Sequence, residues 1–529
     1  MSGNWRICGA IVVLGLAAPA WGAPTAQDPA ADNPAVQVLA GGPIHESFAQ
    51  PVLYEPRPGP VIAKQPPNAI NELPPEQRPD GANVQWIPGY WSWDDGRNDY
   101  IWVSGVWRAI PPGRQWAPGY WNQVPGGFQW VPGYWSAADA QQAQYLAAPP
   151  ASLEQGPSSP PTTQGAVWAP GSWIWQTNQY AWQPGFWVNA QPNWVWTPGR
   201  YTSTPNGYLY NQGFWDYPLA NRGTMFAPVY YSQPIYNQPG YSYSPGYGLL
   251  SSGLLSSLFI RPSYGSYYFG NYYGANNFQR GIYPFYSFHQ SRYGYDPIYA
   301  NAAAQYSRTD PQWTQNLHDS YVYRRDHVEA QPPATYAEVR RIAARTATGG
   351  NAAPAIAPAL NMVRPINQIA AGNVGASPNA KVEAQAVRYK QIDQAQRQQI
   401  AKQATEIHQY RDERMKREVQ AAKVAPAASA TPAAAKPEAP RRVDIPRSPV
   451  VAREAVAAAP KMPAHPAVDQ AVKQPTPNAA PIRHEPAPHI QPPPHQAAPA
   501  APARPAAAPA RPAAPTPARP TGAEGVRKK

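Results

Sequence analysis

Between Val84 and Tyr217 the chain runs in short stretches of aromatic and β-branched positions, each broken by Pro-Gly or a similar pair. One phrase returns eight times. It reads WIPGYW from Trp86, WVSGVW from Trp102, WAPGYW from Trp116 and WVPGYW from Trp130. It resumes as WAPGSW from Trp168, WQPGFW from Trp182, WTPGRY from Trp196 and YNQGFW from Tyr210. Successive starts lie 16, 14, 14, 38, 14, 14 and 14 residues apart. A period this short marks one small supersecondary unit copied in a row. Recurrent Pro and Gly leave no room for a helical stripe, so the pattern predicts short antiparallel strands.

The x-Pro-Gly-x step predicts a type II turn, with Pro fixing φ at the first central position and Gly supplying positive φ at the second. A two-residue hairpin there places Ile87 opposite Tyr90 and Trp86 opposite Trp91, with the indoles in contact on one face. Such a turn splays strands rather than following their twist, so a bulged or corner-like connection is the alternative. Further turn residues fall between phrases: DDGRN at Asp94, PPG at Pro111, PGG at Pro125, QTNQ at Gln176 and TPNG at Thr204. The expected fold class is therefore mainly β. It is an antiparallel β-meander of 14-residue aromatic repeats, followed by a few α-helices and long disordered Pro/Ala-rich arms.

The rest of the chain divides by composition. Residues 1–22 read as a signal peptide, with Arg6 in the n-region, an apolar stretch from Ile7 to Ala18, and Ala20-Trp21-Gly22 as a small-x-small cleavage site. This implies an exported protein of the periplasm, cell envelope or extracellular space. Residues 23–83 read as a Pro-rich linker. Repeat block 1 spans 84–135, a second linker 136–165, and repeat block 2 166–231. Residues 232–300 are rich in Tyr, Gly, Ser and Asn, a composition associated with disorder and self-association. Asp310 as a cap ahead of Pro311 predicts a helical hairpin over 310–346, with Thr335 capping its second helix. Residues 381–424 predict a long charged helix with sparse apolar positions, read as a solvated single helix rather than a coiled coil.

Composition sharpens the picture. The 529 residues include 70 Pro, 39 Gly, 20 Trp and 33 Tyr but only 10 Phe, so the core is not the usual aliphatic one. One modest folded unit on long arms is expected. The single cysteine, Cys8, lies in the signal segment, which leaves the mature chain without disulfides. Gly248 to Ile260 is too short to span a bilayer, so no transmembrane helix is expected after signal removal. The tail at 425–529 holds 14 Lys or Arg against 6 Asp or Glu. It suits anionic envelope polymers or polysaccharide. Export argues against nucleic acid as a partner, and the Tyr-rich segment is the candidate for self-association.

Candidate chemistry is sparse. There is no Gly-rich phosphate loop, HExxH, CxxC pair or nucleophile elbow, so no catalytic residue and no cofactor is expected. The acidic run Asp94-Asp95-Gly96-Arg97-Asn98-Asp99 offers oxygens to Ca²⁺, but it lacks EF-hand spacing and carries an arginine; an ordinary turn is the plainer reading, and no metal site is expected. The repeat tryptophans have two readings. Trp86, Trp91, Trp102, Trp107, Trp116, Trp121, Trp130, Trp135, Trp168, Trp173, Trp182, Trp187, Trp196 and Trp215 are either the core of a sheet poor in aliphatics or exposed platforms that stack on sugar rings.

The stretches YIWVSGVW at Tyr100, FQWVPGYW at Phe128 and YAWQPGFW at Tyr180 resemble the YXWGXW (WXXGXW) repeat of secreted bacterial proteins. They depart from it in carrying Pro or Ser before the Gly; elsewhere Tyr201 and Tyr210 replace tryptophan. The resemblance covers about a quarter of the chain. It implies an exported, repeat-built envelope protein, and it transfers neither an activity nor a functional residue. The expected function is a non-enzymatic structural or adhesive scaffold of the cell envelope. The alternative is a carbohydrate-binding module that stacks Trp and Tyr on a surface or extracellular polysaccharide.

Overall fold

Each pair of aromatic phrases folds back on itself as one broken hairpin. In the computed structural model, which describes residues 34–347, 360–374, 387–424, 439–453 and 459–465, Val84–Ile87 pairs with Val106–Ala109 and Tyr90–Asp94 pairs with Asp99–Val103. Trp86 therefore faces Trp107, and Trp91 faces Trp102. The second hairpin joins Arg114–Ala117 to Tyr134–Ala137 and Tyr120–Val124 to Gly127–Val131. The third joins Val167–Ala169 to Phe186–Val188 and Ser172–Gln176 to Gln179–Gln183. The fourth joins Val195–Thr197 to Phe214–Asp216 and Arg200–Thr204 to Gly207–Asn211. Two cross-strand aromatic pairs close each hairpin, with ring centroids between 5.0 and 5.5 Å apart.

This register corrects the expected pairing of Trp86 with Trp91 and the type II turn between them. The Pro-Gly step interrupts the ladder without reversing the chain, and none of the eight phrase glycines has positive φ. Reversal happens between phrases, where Asn98 (φ 52), Gly126 (φ 89), Asn178 (φ 62) and Gly207 (φ 113) adopt the left-handed region. Glycine is needed in the phrase for close approach instead. A Cβ on Gly89 would lie 2.3 Å from the Val103 carbonyl oxygen, and one on Gly105 would lie 2.5 Å from the Trp86 ring.

The fold is mainly antiparallel strands with a few helices. The two halves of the first hairpin enter different sheets. One half extends through Gly223–Phe226, Tyr247–Leu249 and Val363–Pro365, the other through Val229–Tyr231 and Val36–Val38. Gln142–Leu146 joins the fourth hairpin to Arg441–Asp444. Buried ions tie the first hairpin to the fourth: the Arg108 guanidinium donates to both oxygens of Asp216 at 2.7 Å, and Arg222 lies 3.1 Å from the same carboxylate.

Several segments read from composition as linkers or low-complexity arms are structured. Of residues 23–83, those from 34 on supply five short strands and deeply buried side chains such as Ile44 and Phe48. Their polar groups satisfy donors that the repeats leave open, which composition does not reveal. Within 136–165, Gln142–Leu146 is a strand. Within 232–300, Tyr267, Phe269 and Phe285 are fully buried, and the Tyr267 hydroxyl donates to Asp296 at 2.6 Å. A tyrosine with such a partner is a core residue, whatever the polarity of its neighbours.

The segment expected as a helical hairpin holds two helices, Trp313–Asp326 and Tyr336–Ala347. The first begins later than expected, with Gln312 and not Asp310 at its cap position; Asp310 accepts from the Gln312 N–H just ahead of it. At the second, Thr335 accepts from the Glu338 N–H while Glu338 accepts from that of Ala334, a reciprocal cap. The long helix runs Gln394–Val424 and is docked rather than solvated, with Arg414 and Glu418 fully buried. The expected signal segment, the first residues of the 381–424 stretch and most of the 425–529 tail lie outside the described residues. Of that tail, 439–453 and 459–465 pack on the repeats. Among the described residues no helix is long and apolar enough to cross a membrane.

Candidate functional site

At the Pro-Gly step both strands of a hairpin lose their ladder, which frees two glycine N–H groups facing the same space. An indole N–H from the facing phrase joins them. In two of the four hairpins a single glutamate fills this nest, and in a third a glutamate takes the indole and one of the two glycines. The Glu72 carboxylate accepts from Gly89 N at 2.9 Å, Gly105 N at 3.0 Å and Trp102 Nε1 at 2.6 Å. Glu46 accepts from Gly119 N and Gly133 N, both at 3.0 Å, and from Trp130 Nε1 at 3.3 Å. Glu154 accepts from Trp168 Nε1 at 3.0 Å and from the Gly171 N–H. Burial raises the Glu46 carboxyl above the ordinary range and pushes Glu72 up to about 7, while the converging donors pull both back.

The second tryptophan of a phrase holds the segment that carries the glutamate. Trp91 Nε1 donates to Asn68 O at 2.8 Å, Trp135 to Ser47 O at 3.1 Å and Trp173 to Ala151 O at 2.9 Å. In the fourth hairpin Trp215 Nε1 donates to Lys461 O at 3.1 Å. His465, four residues beyond Lys461 as Glu72 is beyond Asn68, packs against Phe186 and Trp196. Among the described residues no carboxylate stands at Gly199 and Gly213. There Tyr210 replaces the tryptophan, and its hydroxyl lies 3.4 Å from Ser172 Oγ.

Of the fourteen candidate stacking residues, Trp86, Trp91, Trp102, Trp107, Trp116, Trp135, Trp173, Trp182, Trp196 and Trp215 are buried. Trp121, Trp130, Trp168 and Trp187 are half-buried. They form seven cross-strand rungs, with Tyr201 and Tyr210 as the eighth, two rungs to a hairpin rather than one exposed face. The acidic turn at 94–99 has its oxygens engaged within the fold, Asp95 also pairing with Arg261. Asp94 accepts from the Gly96 and Arg97 N–H groups, Asp95 from Trp93 Nε1, and Asp99 pairs with Lys64. Among the described residues no three His, Cys, Asp or Glu side chains gather as a metal site. Glu46, Glu72 and Glu154 were not among the residues read from the sequence. Their only signal is a lone glutamate in a Pro-rich or polar stretch.

A cleft of about 640 Å³ opens beside the repeats. The third and fourth hairpins form one side of it, and the helix Pro297–Tyr306 forms the other. Trp194, Trp196 and Trp215 line it, Trp194 half-buried and the other two buried.

Residues 82–108, 116–136, 167–188 and 192–216 match the family model of the WXXGXW repeat (2 copies). Each match covers one hairpin, so the two-copy unit of the family coincides with the structural unit. No curated protein matches the chain, and no solved structure does.

Proposed function

We propose that this protein, whose four hairpins are WXXGXW repeats, is a non-enzymatic scaffold exported to the cell envelope. One observation carries the reading: the repeat spends its own recognition groups inside the fold. Glycine and indole N–H groups, which could hold a carboxylate or a sugar hydroxyl of a ligand, hold Glu46, Glu72 and Glu154 of the same chain. The repeat thereby acts as a clamp that gathers distant, Pro-rich segments, a structural task. Export rests on the amino-terminal signal pattern, and attachment to anionic polymers on the basic tail.

The test is fractionation of cells expressing the full chain, with amino-terminal sequencing of the recovered protein. Recovery with the envelope or medium, beginning at Ala23, supports the reading. An uncleaved chain in the cytoplasm overturns it.

A second reading, binding of an extracellular polysaccharide, is favoured by the cleft beside the fourth hairpin and not by the fourteen rung tryptophans.

A further inference from the structure

We infer that the cleft between the third and fourth hairpins and the helix Pro297–Tyr306 binds an acidic glycan, one bearing uronic-acid carboxylates. The inference rests on the second reading above and adds a chemical class and named residues to it.

Local sequence builds an aromatic wall. Gln191-Pro192-Asn193-Trp194 is a tight turn in which the Trp194 N–H donates to Gln191 O at 3.2 Å. Pro192 supplies the fixed φ, and Asn193 takes the left-handed φ of 63 that the next position requires. The turn lays Trp194 flat on Tyr217, with ring centroids 5.1 Å apart and planes 26° apart. Trp194 is only half-buried, so part of its ring stays open at the cleft wall. A rigid aromatic surface backed by a second ring suits the apolar C–H face of a pyranose.

Polar groups around it are of the matching kind. Asn193, Asn221 and Gln305 are exposed at the cleft, and each amide carries a donor and an acceptor side by side, as vicinal hydroxyls require. The charge is one-signed. Two arginines line the cleft, and among the described lining residues there is no Asp or Glu. Arg222 is engaged by Asp216 and by backbone carbonyls. Arg308 is exposed at the rim, where its guanidinium lies against Gly165. A planar fork so placed favours a carboxylate ligand.

The experiment titrates the full mature chain with a galacturonic-acid trimer and, separately, with a neutral glucose trimer, following binding by calorimetry. Trp194→Ala and Arg308→Gln are titrated alongside, with circular dichroism confirming their fold. The acidic trimer is expected to bind more tightly than the neutral one. Trp194→Ala should weaken both sugars about tenfold, as for loss of one stacking surface. Arg308→Gln should weaken only the acidic trimer and remove the preference. Equal binding of the two trimers overturns the acidic class while leaving the carbohydrate reading in place. Binding unaffected by either substitution places the sugar elsewhere, on the basic tail for instance, and overturns the cleft. No binding of either trimer overturns both the inference and the second reading.

Discussion

Glu72 and Trp102 stand thirty residues apart in the chain, yet the Glu72 carboxylate takes the Trp102 indole N–H at 2.6 Å and the Gly89 and Gly105 N–H groups beside it. Replacing Glu72 by Leu leaves three buried donors without an acceptor. Each orphaned donor costs about 1–3 kcal/mol, so E72L should lower the unfolding free energy by at least about 3 kcal/mol. E154L should lose less, since Glu154 is half-buried and water can replace it. Urea denaturation of the full chain checks both. An E72L protein as stable as the parent would mean that the nest closes without its carboxylate.

The phrase glycines and Gly113, in the connection between the first and second hairpins, should respond differently to alanine. A Cβ at Gly133 would lie 2.5 Å from the Trp116 ring, 2.6 Å from Glu46 Oε1 and 2.7 Å from the Ala117 carbonyl oxygen. No one side chain can move aside to make that room. Gly113 has open space around its Cβ position and pays only for its φ of 68. G113A should therefore cost about 1 kcal/mol and G133A about 3 kcal/mol or more. Thermal unfolding of the two variants orders them, and the reverse order would refute the close-approach account of the repeat.

What the sequence makes legible follows from what is local. The eight phrases, the strand class, the turns at Asp94 and Thr204 and the helix holding Trp313, Leu317 and Tyr321 all depend on residues close together in the chain. The carboxylates that complete the repeats do not. Glu72 lies 17 residues before Gly89, and Glu46 lies 87 before Gly133. Nothing in a Pro-rich stretch announces such a partner. Tyr267 misled for another reason. Its neighbours are polar and small, but its hydroxyl has Asp296 to bond, and Tyr321 likewise finds the Leu258 carbonyl at 2.8 Å. The helix Gln394–Val424 shows little apolar periodicity because buried charges, absent from any hydrophobic stripe, hold much of it in place.

Asp296 should make stability fall with rising pH. Burial raises its carboxyl to about 7, against the pull of the Tyr267 hydroxyl and of the Tyr299 and Ile298 N–H groups, and its Oδ2 has no hydrogen-bond partner. The folded chain thus holds a proton that the unfolded chain releases near pH 4. The stabilisation is complete below that pH and is lost as pH rises through 7. Glu46 and Glu72 act in the same direction. The histidines His45, His289 and His408, lowered to about 4 by burial, titrate below this window. Between pH 6.5 and 8 Asp296 alone should lower the unfolding free energy by about 1 kcal/mol. D296N keeps an acceptor for Tyr267 and places an amide at the orphaned oxygen, so it should remove that part of the drop. A D296N profile parallel to the parent's would show that Asp296 is ionised throughout.

The long helix should detach when its buried ion pair is broken. Glu418 accepts from Arg414 Nε at 2.8 Å and from the hydroxyls of Tyr120 and Tyr145, each at 2.6 Å. Arg414 in turn donates to the Pro118 carbonyl at 2.7 Å and lies over the Tyr134 ring. The helix is therefore pinned to the Pro-Gly step of the second hairpin by polar contacts inside the fold. Removing one partner strands the other charge, a loss of about 3–5 kcal/mol, and few apolar contacts remain to hold the helix. In R414A a lysine- or arginine-specific protease should cleave between Gln394 and Val424 under conditions where the parent resists. The repeat region should keep its circular dichroism, because the strand pairs of the four hairpins and the nest of Glu72 lie outside the broken pair. R414M, which fills the space but carries no charge, should cleave at the same sites, since Glu418 stays buried and uncompensated. The double variant R414M/E418Q relieves that charge and should recover resistance. If R414A and the parent are cut at the same rate, the helix is held by its apolar residues Ala404, Ile407 and Tyr410 instead.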